Sequence, residues 1–151
     1  MQVSDMLRVK GSALYTAKPD DALLDAVGLM AEKDIGSLVV MERGELVGLL
    51  TFREIIRALA EQAGRLDGVP VSAAFNRQPL TCTSETALDD VRRMMLERHA
   101  RYLPVMDGKL LMGVISFYDV AKTVVESQNF ENKMLKAYIR DWPSDDERAS
   151  G

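Results

Sequence analysis

Two seven-residue stretches place a hydroxyl and a carboxylate three residues apart: G-L-L-T-F-R-E at 48–54 and G-V-I-S-F-Y-D at 113–119. In each, an apolar run leads to the hydroxyl (Thr51 or Ser116), and a helical pattern begins around the acid (Glu54 or Asp119). Two kinds of chemistry share this spacing. In the first, hydroxyl and acid form a capping box that satisfies backbone N–H groups left over at a helix start. In the second, the hydroxyl and the free N–H groups receive a phosphate, while the carboxylate one turn in accepts both hydroxyls of a ribose. A glycine ahead of the hydroxyl, Gly48 or Gly113, would let a flat base approach the backbone.

Other reactive groups are scarce. One histidine, His99, and one cysteine, Cys82, cannot assemble a His/Cys metal site. The chain has no H-E-x-x-H, G-x-S-x-G, G-x-G-x-x-G or G-x-x-x-x-G-K-[ST]. His99 falls at the end of a helical pattern without a Ser or Cys motif beside it, and reads as a helix-dipole partner or surface residue. An enzyme using Asp119 and His99 is one alternative reading; no metal and no required cofactor are expected. Cys82 reads as a small packed residue, open to oxidation only if it lines a cleft. With 19 basic and 23 acidic residues the net charge is −4. Lys10, Lys18, Arg77, Arg98, Arg101 and Lys122 form no basic run, so no nucleic-acid partner is expected. The longest near-apolar stretch, 110–118, is half of the roughly eighteen residues that suggest a membrane span. The N-terminal residues lack a basic segment followed by an apolar core, and a single cysteine can make no intrachain disulfide, so a cytoplasmic location is expected.

The elements that must position Thr51, Glu54, Ser116 and Asp119 come as a repeat. Shifting the 151-residue sequence by 65 pairs Thr16 with Thr81, Leu23 with Leu88, Met30 with Met95, Val40 with Val105, Gly48 with Gly113 and Phe52 with Phe117. There are twelve identities in the forty-two pairs from Thr16/Thr81 to Arg57/Lys122, where average composition gives roughly two or three. A period this long, present twice, is no solenoid. Each copy starts with a short extended piece, Leu14–Thr16 or Leu80–Cys82. After P-D-D, Leu23, Ala26, Val27 and Met30 recur at helical spacing; the second copy gives a helix over Ala87–His99. Two apolar runs around E-R-G-E read as a hairpin, matched by strands Tyr102–Met106 and Leu110–Ile115. A second helix opens at Thr51 and at Phe117.

The unit is β-α-β-β-α, of the α/β (α+β) class. Its two helices cover one face of a small sheet, and the other face is best buried by the second copy in a pseudo-two-fold pair packed through the sheets. The lead-ins V-S-D-M-L and V-S-A-A-F match as short helices. The expected divisions are repeat 1 at 1–62, a linker at 63–70, repeat 2 at 71–127, a C-terminal helix at 128–142 stopped by Pro143, and a frayed polar tail at 143–151. Apolar residues lie around much of that last helix, at Phe130, Met134, Leu135, Tyr138 and Trp142. Surplus apolar helix surface predicts a homodimer that this helix braces.

A G-h-h-[ST]-x-x-D motif closing each β-α-β-β-α copy, with L-P-V ahead of the hairpin turn, resembles the cystathionine-β-synthase (CBS) domain. Two in tandem resemble a Bateman module. The likeness spans about residues 1–140 and is nearest to the stand-alone CBS-pair proteins of bacteria, which also carry an extra C-terminal helix. It implies a non-enzymatic, energy-sensing regulatory module, again a homodimer, acting on a regulated protein partner. Its clefts between the repeats would bind AMP, ADP, ATP, NAD or S-adenosylmethionine, the hydroxyl meeting phosphate and the aspartate holding the ribose. For the second copy it implies Gly113, Ser116 and Asp119, with Thr81 and Cys82 on the opposing strand and Tyr102, Leu103 and Pro104 beside the base. The first copy departs from the pattern at Glu54, whose extra methylene either carries the carboxylate past the ribose or returns it to capping. Thr16, Ala17, Lys18, Ser37, Thr51, Arg53 and Glu54 make up its implied site. Arg53 suits phosphate through its fixed fork of donors, or is a solvated helix residue. The alternative function is a ligand-independent scaffold or adaptor in which both motifs are only caps.

Overall fold

The computed structural model describes residues 1–10 and 14–141, which fall into two units, Met1–Phe117 and the stretch from Tyr118 on. In order, the elements are α1 (Val3–Lys10), β1 (Thr16–Ala17), α2 (Leu23–Lys33), β2 (Ser37–Glu42), β3 (Glu45–Thr51), α3 (Phe52–Glu61), a 3₁₀ turn (Val71–Ala73), α4 (Leu88–Arg98), β4 (Tyr102–Asp107), β5 (Leu110–Ser116) and α5 (Phe117–Asp141). β1 runs parallel to β2 and β3 antiparallel to it, while β4 and β5 form a second, two-stranded antiparallel sheet. Two copies of a mixed α/β unit are therefore present.

Alternation along the strands decides what each face meets. Leu38, Val40 and Leu50 face a core made by Leu23, Ala26 and Met30 of α2 and Ile55 and Ala58 of α3. Val39 and Leu49 point the other way and pack with Val114 of β5, joined by Met41, Leu46, Tyr102 and Leu111. The sheets of the two copies thus meet face to face, as the pattern predicts. The likeness reaches fine detail. Both hairpins carry an irregularity at matching positions, Val40/Met41 and Val105/Met106. Asp34 and His99 end α2 and α4 in the left-handed region, at φ 52° and 53°. The next residues, Ile35 and Ala100, each donate a 3.0 Å hydrogen bond to Met30 and Met95, closing the helix ends alike.

Several elements differ from expectation. The strand over Leu80–Cys82 shrinks to one bridge, Cys82 to Val105. P-D-D precedes α2 without a side-chain cap on it: Asp21 Oδ2 accepts the Lys18 N–H at 2.8 Å, while the Leu23 N–H goes to the Val69 carbonyl at 2.8 Å. No break separates the second copy's last helix from a C-terminal one. α5 runs through 127/128 because nothing between Phe117 and Asp141 is glycine or proline. Trp142, Pro143 and the tail lie outside the described residues.

The lead-in segments cross over. Residues 1–4 pair with the second copy: Val3 N–H donates to the Thr86 carbonyl, Ser4 N–H to Ser84, and Leu88 N–H to Met1. Lys10 Nζ reaches the Val114 carbonyl at 2.7 Å. Reciprocally, Val71 N–H donates to Asp21 and Ser72 N–H to Pro19 of the first copy, and the Val69 carbonyl just before them accepts the Leu23 N–H. Val3 and Val71 are both fully buried by this exchange. The stretch expected as a plain linker is docked too, with Leu66 and Val69 in the first core.

Candidate functional site

β3 ends at Thr51, whose extended backbone (φ −126°, ψ 176°) turns the chain into α3. Thr51 Oγ1 accepts the Arg53 N–H at 3.2 Å. Glu54 Oε1 accepts both the Thr51 N–H at 2.9 Å and the Thr51 hydroxyl at 2.8 Å. The capping box is formed, and it uses one carboxylate oxygen. The other, Oε2, makes no hydrogen bond among the described residues. It retains contact with solvent, since no buried side-chain oxygen there lacks a partner, even though Glu54 as a whole is only 6% exposed.

A cleft of about 340 Å³ lies at this helix start, within the size range of small-molecule sites. Its lining comes from Thr51–Glu54 and Ile56, from the turn His99–Tyr102, and from Pro79 and Leu80, with Leu49 and Asn76 between. Leu49 and Asn76 hold each other by two 2.9 Å backbone hydrogen bonds. Arg53 NH2 donates to the His99 carbonyl at 3.1 Å, so the start of α3 is tied to the left-handed end of α4. The Phe52 ring and the Tyr102 hydroxyl crowd over Gly36, where a Cβ would run into the phenol. Two exposed guanidinium groups, Arg53 and Arg101, and one buried carboxylate therefore share an aromatic-edged cleft. That combination suits an anion bonded to a flat ring and a polyol.

Of the residues expected at the first site, the cleft gathers Thr51, Arg53 and Glu54. Thr16 and Ala17 are instead in β1, with Ala17 in the core. Lys18 N–H is engaged by Asp21, and Ser37 pairs with Thr51 across the hairpin. Tyr102, expected with the second motif, lines the cleft of the first. The pseudo-two-fold arrangement brings the start of one copy's β4 to the other copy's helix start. Leu103 and Pro104 do not line it, being buried on β4. Cys82 is buried as well: its backbone N–H donates to Pro104 and its carbonyl accepts from Met106. Burial pushes its thiol up to about 11, away from reactivity. Thr81 is exposed beside it. Gly113 faces Leu7 of α1, whose Cδ2 would lie 2.9 Å from an added Cβ. Ser116 ends β5 opposite Tyr102. Asp119 lies in the first turn of α5, where its carbonyl accepts the Thr123 hydroxyl at 2.9 Å.

Sequence reasoning missed Phe52, Ile56, Asn76, Pro79, Leu80, Ala100 and Arg101 as cleft residues. The signal for most of them was the repeat itself, read crosswise: if the copies face each other about a two-fold axis, each motif meets the other copy's strand starts. Among the described residues no group of acids, His and Cys could hold a metal ion, and no helix is long and apolar enough to cross a membrane.

Comparison with known proteins fits this geometry. A mitochondrial CBS domain-containing protein of Arabidopsis thaliana, CBSX3, is 29% identical over 147 residues, covering 91% of this chain and 71% of its own length. A solved structure of a protein with CBS domains from Burkholderia ambifaria is 30% identical at a TM-score of 0.79, covering 85% of this chain and 96% of the other. The solved complex of CBSX2 with AMP shares the fold at 24% identity and a TM-score of 0.70, covering 84% of this chain and 98% of that one. The CBS domain model matches residues 4–61 and again 71–126. With both copies matched, the chain belongs to the CBS-domain family.

Proposed function

We propose that the Thr51–Glu54 cleft binds an adenosine nucleotide and that the chain is a regulatory, energy-sensing module rather than an enzyme. The observation that carries this reading is the divided use of Glu54. One oxygen closes the capping box and the other is left for a ribose hydroxyl, while Arg53 and Arg101 supply donors for phosphate. Glutamate thus serves both roles that its spacing allows. The AMP complex of CBSX2 supports the ligand class by fold. By its G-V-I-S-F-Y-D motif the second copy is assigned a further site that includes Gly113, Ser116 and Asp119. Repeats at 1–62 and 71–127 would respond to ligand only through unequal affinity for two arrangements. Two chains form a homodimer in this reading, for which the exposed Phe52, Ile56 and Leu59 on one stripe of α3 offer apolar surface.

The test is a panel of AMP, ADP, ATP, NAD and S-adenosylmethionine read by thermal shift, with calorimetry for affinity and stoichiometry. Removing hydrogen bonds to a charged acceptor costs about 1.5–3 kcal/mol, so Glu54→Ala should weaken binding at its site roughly 10- to 150-fold, and Asp119→Ala likewise at the second. Unchanged affinity in a folded Glu54→Ala protein assigns that residue to capping alone. A second reading, the ligand-independent scaffold, is favoured by the apolar side chains that α5 exposes. Absence of a thermal shift with every compound would select it.

A further inference from the structure

We infer that occupancy of the Thr51–Glu54 cleft is transmitted to the second copy's motif by Arg53, through the turn His99–Arg101. The inference rests on the nucleotide reading proposed above and names the regulation of that same site. The turn touches both motifs. On one side, Arg53 NH2 of the first motif donates to the His99 carbonyl at 3.1 Å. On the other, the N–H of Phe117, which follows Ser116 in the second motif, donates to the Arg101 carbonyl at 2.7 Å. The adjoining residue, Tyr102, pairs with Ser116 across the hairpin. Only the backbone of His99, Ala100 and Arg101 therefore separates a cleft-lining guanidinium from the first residue of α5.

The order of this turn is something a ligand can change. His99 takes a left-handed backbone, φ 53°, which a residue with a Cβ keeps only where its surroundings hold it. The Ala100 N–H, bonded to the Met95 carbonyl, holds it from α4, and Arg53 holds it from the other copy. Arg53 also sets a cation at the C-terminal end of α4, where the helix dipole favours one. Its side chain is exposed, however, and the rotamer freedom of an exposed arginine weakens such a strap. A bound phosphate removes that freedom. The two hydrogens of NH2 belong to different edges of the guanidinium fork, so with one on the His99 carbonyl the opposite edge still offers two parallel donors to phosphate oxygens. Strap and phosphate contact are made together, and each lowers the ordering cost of the other. The second motif has Tyr118 where the first has Arg53, so this fork belongs to the first motif alone.

Amide hydrogen exchange of the full chain, followed by NMR with AMP and with ATP as probes, tests this. An Asp119→Ala background removes direct binding at the second motif. Saturating nucleotide should then slow exchange at Ala100 and Phe117 roughly 2- to 10-fold, the scale of about one added hydrogen bond. Phe117 does not line the cleft, so its response reports the relay rather than contact with the ligand. Arg53→Lys keeps the charge but not the planar fork; it should still saturate, at higher nucleotide concentration, and the slowing at Phe117 should be lost. Arg101→Gln should also weaken binding yet keep the slowing at saturation, because only its backbone carbonyl relays. Equal slowing at Phe117 in the Arg53→Lys protein would overturn the inference, as would unchanged or faster exchange there in a protein that binds nucleotide, and both results leave the cleft reading intact. Binding of neither AMP nor ATP would overturn the cleft reading and the inference with it.

Discussion

A methyl group on Gly48 would collide with the Asn76 carbonyl oxygen and the Phe75 ring. The carbonyl belongs to the Leu49–Asn76 bridge and has no room to retreat. Gly48→Ala should therefore cost about 1–3 kcal/mol, the range for overpacking, and should loosen the cleft beside Thr51. Gly28 in α2 has nothing within 4 Å of an added Cβ, so Gly28→Ala should stabilise by up to about 1 kcal/mol. Urea unfolding of the two variants checks the contrast; equal stabilities would mean that the close approach at Gly48 is not felt. At this scale the sequence was informative about type and silent about direction. The hydroxyl–acid spacing identified Thr51 and Glu54, but alternation alone did not show that Leu103, Pro104 and Cys82 turn inward, because a strand buried on both faces carries no polar mark of its open side.

Helix boundaries followed from local chemistry wherever a side chain closed them. Thr51 capping α3 was legible from four residues. The end of α4 at His99 was legible from its helical pattern, whereas that of α2 was less so, since Asp34 is unusual at positive φ, where glycine is commonest. α5 was misread as two elements because its first part belongs to the repeat and its second does not, although the backbone has no reason to stop between them. Exposed apolar side chains on its distal half are surface that the proposed homodimer would bury. Deleting residues 128–151 should weaken dimerisation or stability, and burial at about 25 cal/mol per Å² makes several kcal/mol the expected scale. Sedimentation and thermal melting of the truncated chain measure this; an unaltered dimer with an unaltered melting temperature would remove the helix from the interface.

The internal repeat made the architecture of the molecule legible before any coordinate, including the meeting of two sheets. What it concealed was the crossing of the lead-ins, because V-S-D-M-L precedes the first copy in sequence yet its Val3 and Ser4 bond to Thr86 and Ser84 of the second. Chain order is no guide to docking when two copies offer the same surface. This crossing has the form of a domain exchange made covalent. A single ancestral repeat could have dimerised by trading its first residues with a twin, and gene duplication would then have fused the pair without altering a contact. The present chain should still tolerate the reverse operation. Opened between Asp67 and Gly68, in an exposed turn with Leu66 left in the first core, it yields fragments that each lack a segment the other carries. Co-expressed, they should co-purify as one complex with the parent's circular dichroism, whereas either alone should be unfolded or self-exchanged into a dimer; fragments that fold separately and ignore each other would argue against that history.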